Sequence, residues 1–311
     1  MFKQLLVIVA ITLPALMYGQ MAYEFTDVEG EGVFLKKSQD KITIDGRIDE
    51  AAWFSGSPAT NFWENFPTDT VLCDAKTEIY MTFDEDNLYI AAKCYAPGQN
   101  YVVPSLRRDY RAGGSDNITF LLDPFRDRTN AFVFGMNPYG VMREALISNG
   151  GNSTSDWLGE WDNKWKGESA IFEDYWSCEI SIPFSTIRFP EGQTEWNFNS
   201  YRFDTQSNTR STWQPIPQNQ IIMSLAYMGN MQWEEAPKSP GKSISLIPYI
   251  TAGTQRDFEE GLPADNNFNV GGDAIIAVTS GLNLDLTVNP DFSQVEVDRQ
   301  VINLGRFEVF F

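Results

Sequence analysis

Apolar and polar positions alternate with a period of two along most of this chain, and a sustained helical period of 3.6 is nowhere found. Thr77-Glu78-Ile79-Tyr80-Met81-Thr82-Phe83 alternates, turns through Asp84-Glu85-Asp86-Asn87, and returns as Leu88-Tyr89-Ile90-Ala91-Ala92-Lys93-Cys94-Tyr95. That pattern predicts a hairpin closed by a polar four-residue turn. Residues 117–123 and 130–137 predict a second pair of strands, and residues 175–183 and 195–203 two more. Short strands at this spacing, separated by turn residues, indicate an all-β fold, an antiparallel β-sandwich or jelly roll. Helix is limited to one turn around Asp49-Glu50-Ala51-Ala52-Trp53. Residues 21–38 lack a strong period and are expected to be a linker or a first edge strand.

The pattern changes at Glu234-Glu235-Ala236-Pro237-Lys238-Ser239-Pro240-Gly241-Lys242, where two prolines, a glycine and charges predict a domain boundary. The sandwich is thus expected over 39–236 and a second region over 237–311. In the second region Phe268, Val270, Ala274, Ile276 and Val278 share one face, with Asn269, Asp273 and Thr279 on the other. Leu282, Leu284, Leu286 and Val288 alternate with Asn283, Asp285, Thr287 and Asn289. One apolar and one polar face per strand suits a transmembrane β-barrel and a soluble antiparallel sheet equally. The smallest barrels need about eight strands of ~10 residues, more than 237–311 can supply. The region is therefore expected to be the first antiparallel strands of a truncated barrel-like element.

At the other end, Lys3 precedes the apolar run Leu5–Leu13, then Pro14 and small or polar residues to Gly19-Gln20. A basic start, a short apolar core and a small residue describe a secretory signal peptide over 1–20. The apolar run falls short of the ~20 residues a membrane helix needs, and no cysteine follows it to accept a lipid. Export would permit disulfides, but Cys73, Cys94 and Cys178 are too few for a framework. Cys94 and Cys178 alternate with apolar neighbours, so all three are expected as free thiols.

Composition then removes whole classes of function. With 42 acidic and 23 basic side chains the net charge is −19, which opposes nucleic acid and any basic-patch attachment to anionic lipid. The sequence has no histidine, so Ser-His-Asp triads, Cys-His pairs, HExxH zinc sites and His-ligated haem are all excluded. Carboxylate chemistry, hard-cation binding or plain recognition remain. Glycoside hydrolysis would need two carboxylates ~5–10 Å apart across a cleft, and nothing singles out such a pair.

The segment Ile42-Thr43-Ile44-Asp45-Gly46-Arg47-Ile48-Asp49-Glu50-Ala51-Ala52-Trp53 resembles the opening of family 9 carbohydrate-binding modules. The hairpin at Asp84–Ile90, the strand Asp116–Asp123 and Trp196-Asn197-Phe198-Asn199 follow in the same order, so the resemblance spans about residues 40–230. It implies a β-sandwich that holds saccharide ends and carries structural calcium. Thr287-Val288-Asn289-Pro290-Asp291-Phe292-Ser293-Gln294-Val295-Glu296, running into Asn303-Leu304-Gly305-Arg306-Phe307-Glu308-Val309-Phe310-Phe311, resembles a Bacteroidetes-type family of unassigned function. That family joins such a module to a long outer-membrane barrel. The resemblance implies an exported envelope protein, in the periplasm or outer membrane of a Gram-negative bacterium. The expected partners are a saccharide or glycan and, through the barrel, the outer membrane. Glycan binding without cleavage is the first functional expectation. A plug or cap for a transport or assembly barrel is the second, and an accessory part of a glycoside hydrolase in carbohydrate catabolism the third.

Candidate binding residues follow from the need for aromatic faces against pyranose C–H groups and polar groups on hydroxyls. Trp157, Trp161 and Trp165 fall in one acidic, non-alternating stretch with Asp156 and Asp162. On one reading Trp161 and Trp165 form a stacking platform, with Asp156 or Asp162 hydrogen-bonding the hydroxyls; on the other the stretch is a loop folded onto its own sandwich or onto the downstream barrel. Arg108 and Asp109 lie in the basic island 107–111, which could clamp an acidic sugar or phosphate or pair with nearby acids. The family's own ligand residues do not carry over: Gly113-Gly114-Ser115 stands where relatives place a Trp, and Thr119 replaces a carboxylate. No cofactor is required; calcium could use Asp84 and Asp86, in what is otherwise a solvated hairpin turn. Trp53, Trp196 and Trp213 are assigned to the core.

Overall fold

A computed structural model describes residues 32–96, 98–238, 244–255, 265–279 and 282–290. The expected signal segment 1–20, residues 239–242 of the expected boundary and the part of the C-terminal motif beyond 290 lie outside the described residues.

In chain order the strands are β1 (Val33–Lys37), β2 (Trp63–Phe66), β3 (Thr77–Phe83), β4 (Asn87–Tyr95), β5 (Asn117–Asp123), β6 (Ala131–Met136), β7 (Met142–Ile147) and β8 (Trp157–Leu158). They continue with β9 (Lys166–Ile171), β10 (Tyr175–Pro183), β11 (Glu195–Asp204), β12 (Thr209–Thr212) and β13 (Gly229–Trp233). The last three are β14 (Ile244–Gln255), β15 (Asp265–Thr279) and β16 (Leu282–Val288). The fold is all-β. A 3-10 turn, Ala51–Phe54, stands where the sequence predicts one turn of helix, and further 3-10 turns that the sequence does not predict fall at Asn149–Gly151, Thr154–Asp156 and Leu225–Tyr227.

Two sheets form the sandwich. The first runs β8-β7-β6-β5-β11-β13-β1 and the second β1-β3-β4-β10-β9, while β12 joins β2 to β11. Every pairing within them is antiparallel except those of β1, which lies parallel to β13 through Val33–Leu35 and to β3 through Lys36 and Lys37. The stretch read as a linker or edge strand therefore contains a strand with neighbours on both sides. It carries the chain from one sheet to the other. Five residues shared between two partners are too few to show a period, which is why alternation does not reveal β1.

Alternation decides what lies between the sheets. Ile118, Phe120 and Leu122 of β5, Trp196 and Phe198 of β11, and Ile180 and Ile182 of β10 point inward with Ile79, Ile90 and Met231. Trp196 and Trp233 meet edge-to-face at 4.7 Å, flanked by Phe189 and Phe83. Such aromatic pairs contribute about 0.5–1.5 kcal/mol beyond the area they bury. Trp53, Trp196 and Trp213 are all buried, as expected. Cys73, Cys94 and Cys178 are free thiols, the last two fully buried.

The Asp45-Gly46 step has a physical reason. Glu179 on β10 faces away from the core, and its Oε2 accepts the backbone N–H groups of Asp45 at 3.0 Å and Gly46 at 2.8 Å. Ser177 Oγ donates to the Gly46 carbonyl. Gly46 has φ +84°, and a Cβ there would lie 2.6 Å from the Ser169 carbonyl carbon. Only glycine fits this latch, which closes the segment 42–53 over the second sheet.

The strands β14, β15 and β16 form a separate antiparallel sheet. Its register aligns Leu246 with Ala274 and Leu286, and Ile250 with Val270. Leu246, Ile250, Phe268, Val270, Leu284, Leu286 and Val288 share that face and are exposed. Asn267, Asn269, Asp273, Asp285 and Thr287 fall at the alternate positions. Among the described residues no helix is long and apolar enough to cross a membrane.

Candidate functional site

The outer face of the first sheet is only partly covered. Leu121, Val133, Ala145 and Ile147 on that face pack under Met223, Leu225 and Met228. Beside this cover a groove of about 460 Å³ remains open, lined by Tyr110, Arg143, Trp157, Tyr201, Phe203 and Met223, with Asp109 and Arg111 also on its wall. That volume lies in the range of small-ligand sites.

Cross-strand register builds the groove floor. Arg143, Gly135, Thr119 and Tyr201 are successive neighbours across β7, β6, β5 and β11. The Arg143 side chain crosses over Gly135, where a Cβ would stand 2.9 Å from both Arg143 Cγ and Thr119 Oγ1. Gly135 thus gives the arginine its path. The guanidinium carbon lies 4.4 Å from the Trp157 ring centroid and 5.6 Å from that of Tyr110, within cation–π range of both. Its Nη1 meets only hydroxyls, Tyr201 Oη at 3.4 Å and Thr119 Oγ1 at 3.5 Å. Its Nε has no hydrogen-bond partner, nor has the Tyr110 hydroxyl. Burial raises the Tyr110 phenol above its ordinary value, so it stays a donor at neutral pH.

The acids beside the groove are already engaged. Glu144 is buried, and both its oxygens accept Arg108 Nη2, at 2.5 and 2.6 Å. Glu144 also accepts the Trp165 indole N–H and the Asn163 backbone N–H. Burial pushes the Glu144 carboxyl up despite these donors. Asp109 Oδ1 accepts the Glu144 backbone N–H at 3.0 Å, and its Oδ2 lies 4.0 Å from Arg108 Nε. Of the basic island, Arg108 therefore takes the pairing alternative.

The expected binding residues are divided by this geometry. Trp157 and Asp109 reach the groove. Trp165 is buried against Phe134, and Trp161 is half-buried against Phe132 and Phe134. This is the loop folded onto its own sandwich rather than a stacking platform of Trp161 and Trp165. Asp162 is exposed and 3.4 Å from Arg108 Nη2. Asp84 caps its own hairpin: Oδ1 accepts from Asp86 and Asn87 backbone N–H, and Oδ2 from the Tyr89 hydroxyl. Among the described residues no three His, Cys, Asp or Glu side chains group as a metal site would require.

Asp116, just ahead of β5, anchors backbone: it accepts the Val102 and Thr205 N–H groups. Arg143, Tyr110 and Tyr201 were not foreseen. The available signal was the Arg143-Glu144 pair inside the short apolar run Met142–Ile147, where alternation sends the two charges to opposite faces.

Comparison with known proteins gives three findings. Residues 240–311 match a family described as "Domain of unknown function (DUF5916)". No curated protein matches the chain. Among solved structures, a candidate carbohydrate-binding protein from Bacteroides uniformis is similar at 13% identity and TM-score 0.52, covering 65% of this chain and 98% of that one. A family 9 carbohydrate-binding module from Caldicellulosiruptor kristjanssonii was solved with cellotriose and again with glucose. It aligns at 12% identity, TM-score 0.46, and at 14%, TM-score 0.44. Both alignments cover 67% of this chain, and 95% and 98% of the module. The Bacteroides structure shares the sandwich fold.

Proposed function

We propose that the sandwich binds a glycan without cleaving it, and that the groove around Trp157 and Arg143 is the binding site. One observation carries this reading: aromatic rings of Trp157, Tyr110, Tyr201 and Phe203 line a cavity of saccharide size that also holds a cation with unspent donors. Aromatic faces take the C–H surfaces of a pyranose and the polar centre takes its hydroxyls. The carbohydrate-binding names of the structural neighbours agree with it. Tryptophan fluorescence of the full chain, titrated with a panel of oligosaccharides, tests it. A saccharide that quenches wild type should bind Trp157→Ala at least ~10-fold more weakly, since a stacking face is worth about 1 kcal/mol or more. Trp161→Phe should bind nearly as wild type. Silence across the whole panel would sink the reading.

The β14–β16 sheet supports a second part of the proposal, that this region begins an outer-membrane barrel and the protein is exported. A bilayer is the solvent in which an exposed row of Leu246, Ile250, Val270 and Leu286 opposite a polar face costs nothing. Full-length protein expressed in a Gram-negative host should fractionate with the outer membrane and migrate differently on gels with and without boiling. Recovery in the soluble fraction would refute it. Calcium at Asp84 and Asp86 remains a proposal of the same kind; chelation would lower the melting temperature if the ion is structural.

A further inference from the structure

The charge arrangement in the groove distinguishes one kind of saccharide from another. Arg143 is 6% exposed, yet its polar neighbours are two hydroxyls, and no described carboxylate pairs with it. Burying a cation without an anion is costly, and cation–π contact with two rings offsets only part of that cost. Both acids on the groove wall are spent on Arg108 and on the backbone around it. Arg111, exposed on the same wall, also lacks a carboxylate partner among the described residues. The result is a groove whose buried cation has no acid of its own, in a chain of net charge −19.

Building on the glycan-binding reading, we propose that the preferred ligand is an acidic saccharide, a uronate, whose carboxylate seats on Arg143. The planar guanidinium presents Nη2, which donates to no described residue, for a charge-assisted hydrogen bond of the kind carboxylates form best. Trp157 takes the sugar ring, and Tyr110 and Tyr201 border the carboxylate. Thr119 belongs to the same arrangement. A carboxylate side chain at that position would lie against Nη1 and neutralise the arginine internally, whereas threonine leaves it free.

The test uses the full chain and gluco- and galacto-configured oligosaccharides, each prepared neutral, as the uronate, and as the methyl ester of that uronate. The ester keeps the shape and removes only the charge. Wild type should bind a uronate at least ~10-fold more tightly than its ester, a preference that shrinks as salt rises from 50 to 500 mM. Arg143→Gln should bring uronate and ester within about threefold, while Arg143→Lys, which keeps the charge, should retain part of the preference. Circular dichroism melts establish that each variant is folded. If neutral sugar, uronate and ester bind wild type alike, the acidic preference is overturned while glycan binding stands. A preference that survives in folded Arg143→Gln would overturn it too. Absence of binding by every sugar in every form would remove both.

Discussion

Arg202→Met is expected to destabilise the protein by about 3–5 kcal/mol, the range for removing one partner of a buried ion pair. Arg202 is 2% exposed and joins the two sheets from within the core. Its Nη2 donates to the Tyr95 carbonyl at 2.7 Å and to Asp204 Oδ2 at 2.9 Å. Its Nη1 donates to the Lys76 carbonyl at 3.0 Å and to Thr77 Oγ1 at 3.1 Å. Methionine fills much of the same volume, so the loss comes from a stranded carboxylate and orphaned carbonyls rather than from a cavity. Asp204 would keep only the Gln206 and Ser207 backbone N–H groups. The double variant Arg202→Met/Asp204→Asn removes both buried charges of this pair and should recover part of the loss. Urea unfolding with an unchanged m-value is the measurement, and a cost below 1 kcal/mol for the single variant would contradict this account.

Arg202 also marks the boundary of what alternation reveals. Trp196, Phe198 and Arg202 occupy the same inward phase of β11, so the strand and its core face are legible residue by residue. What alternation leaves open is which strands become neighbours. Arg143, Thr119 and Tyr201 meet only because β7, β6, β5 and β11 lie in that order, and their sequence separations carry no trace of it. Trp157, Trp161 and Trp165 show the complementary difficulty. Aromatic residues bunched in an acidic loop read as one surface, yet Trp165 turns inward to bind Glu144 while Trp157 turns toward Arg143. The hairpins and the two-faced β14–β16 sheet were legible because each depends on neighbours close in sequence. The groove was not, because its walls come from positions 110, 143, 157 and 201.

The latch at Gly46 makes stability depend on pH in an uncommon direction. Glu179 is fully buried, and burial pushes its carboxyl from the ordinary 4.5 up to about 7, against the two backbone N–H groups that favour its charged form. Its second oxygen, Oε1, has no partner. Below pH 4.5 the group is protonated in folded and unfolded chains alike. Between 4.5 and 7 the unfolded chain has released its proton and the folded chain still holds it, so stability declines as pH rises through this window. Above 7 both are ionised and the decline ends. The difference between the two values corresponds to about 3 kcal/mol. Other carboxylates titrate over the same range, so the quantity to follow is the difference between wild type and Glu179→Gln. Glutamine can accept the Asp45 and Gly46 N–H groups through its amide oxygen but cannot ionise. Its stability relative to wild type should therefore improve by about 3 kcal/mol from pH 4.5 to 7.5, read by chemical denaturation at each pH. A constant difference would mean that Glu179 is ionised throughout, held by the Asp45-Gly46 N–H groups alone.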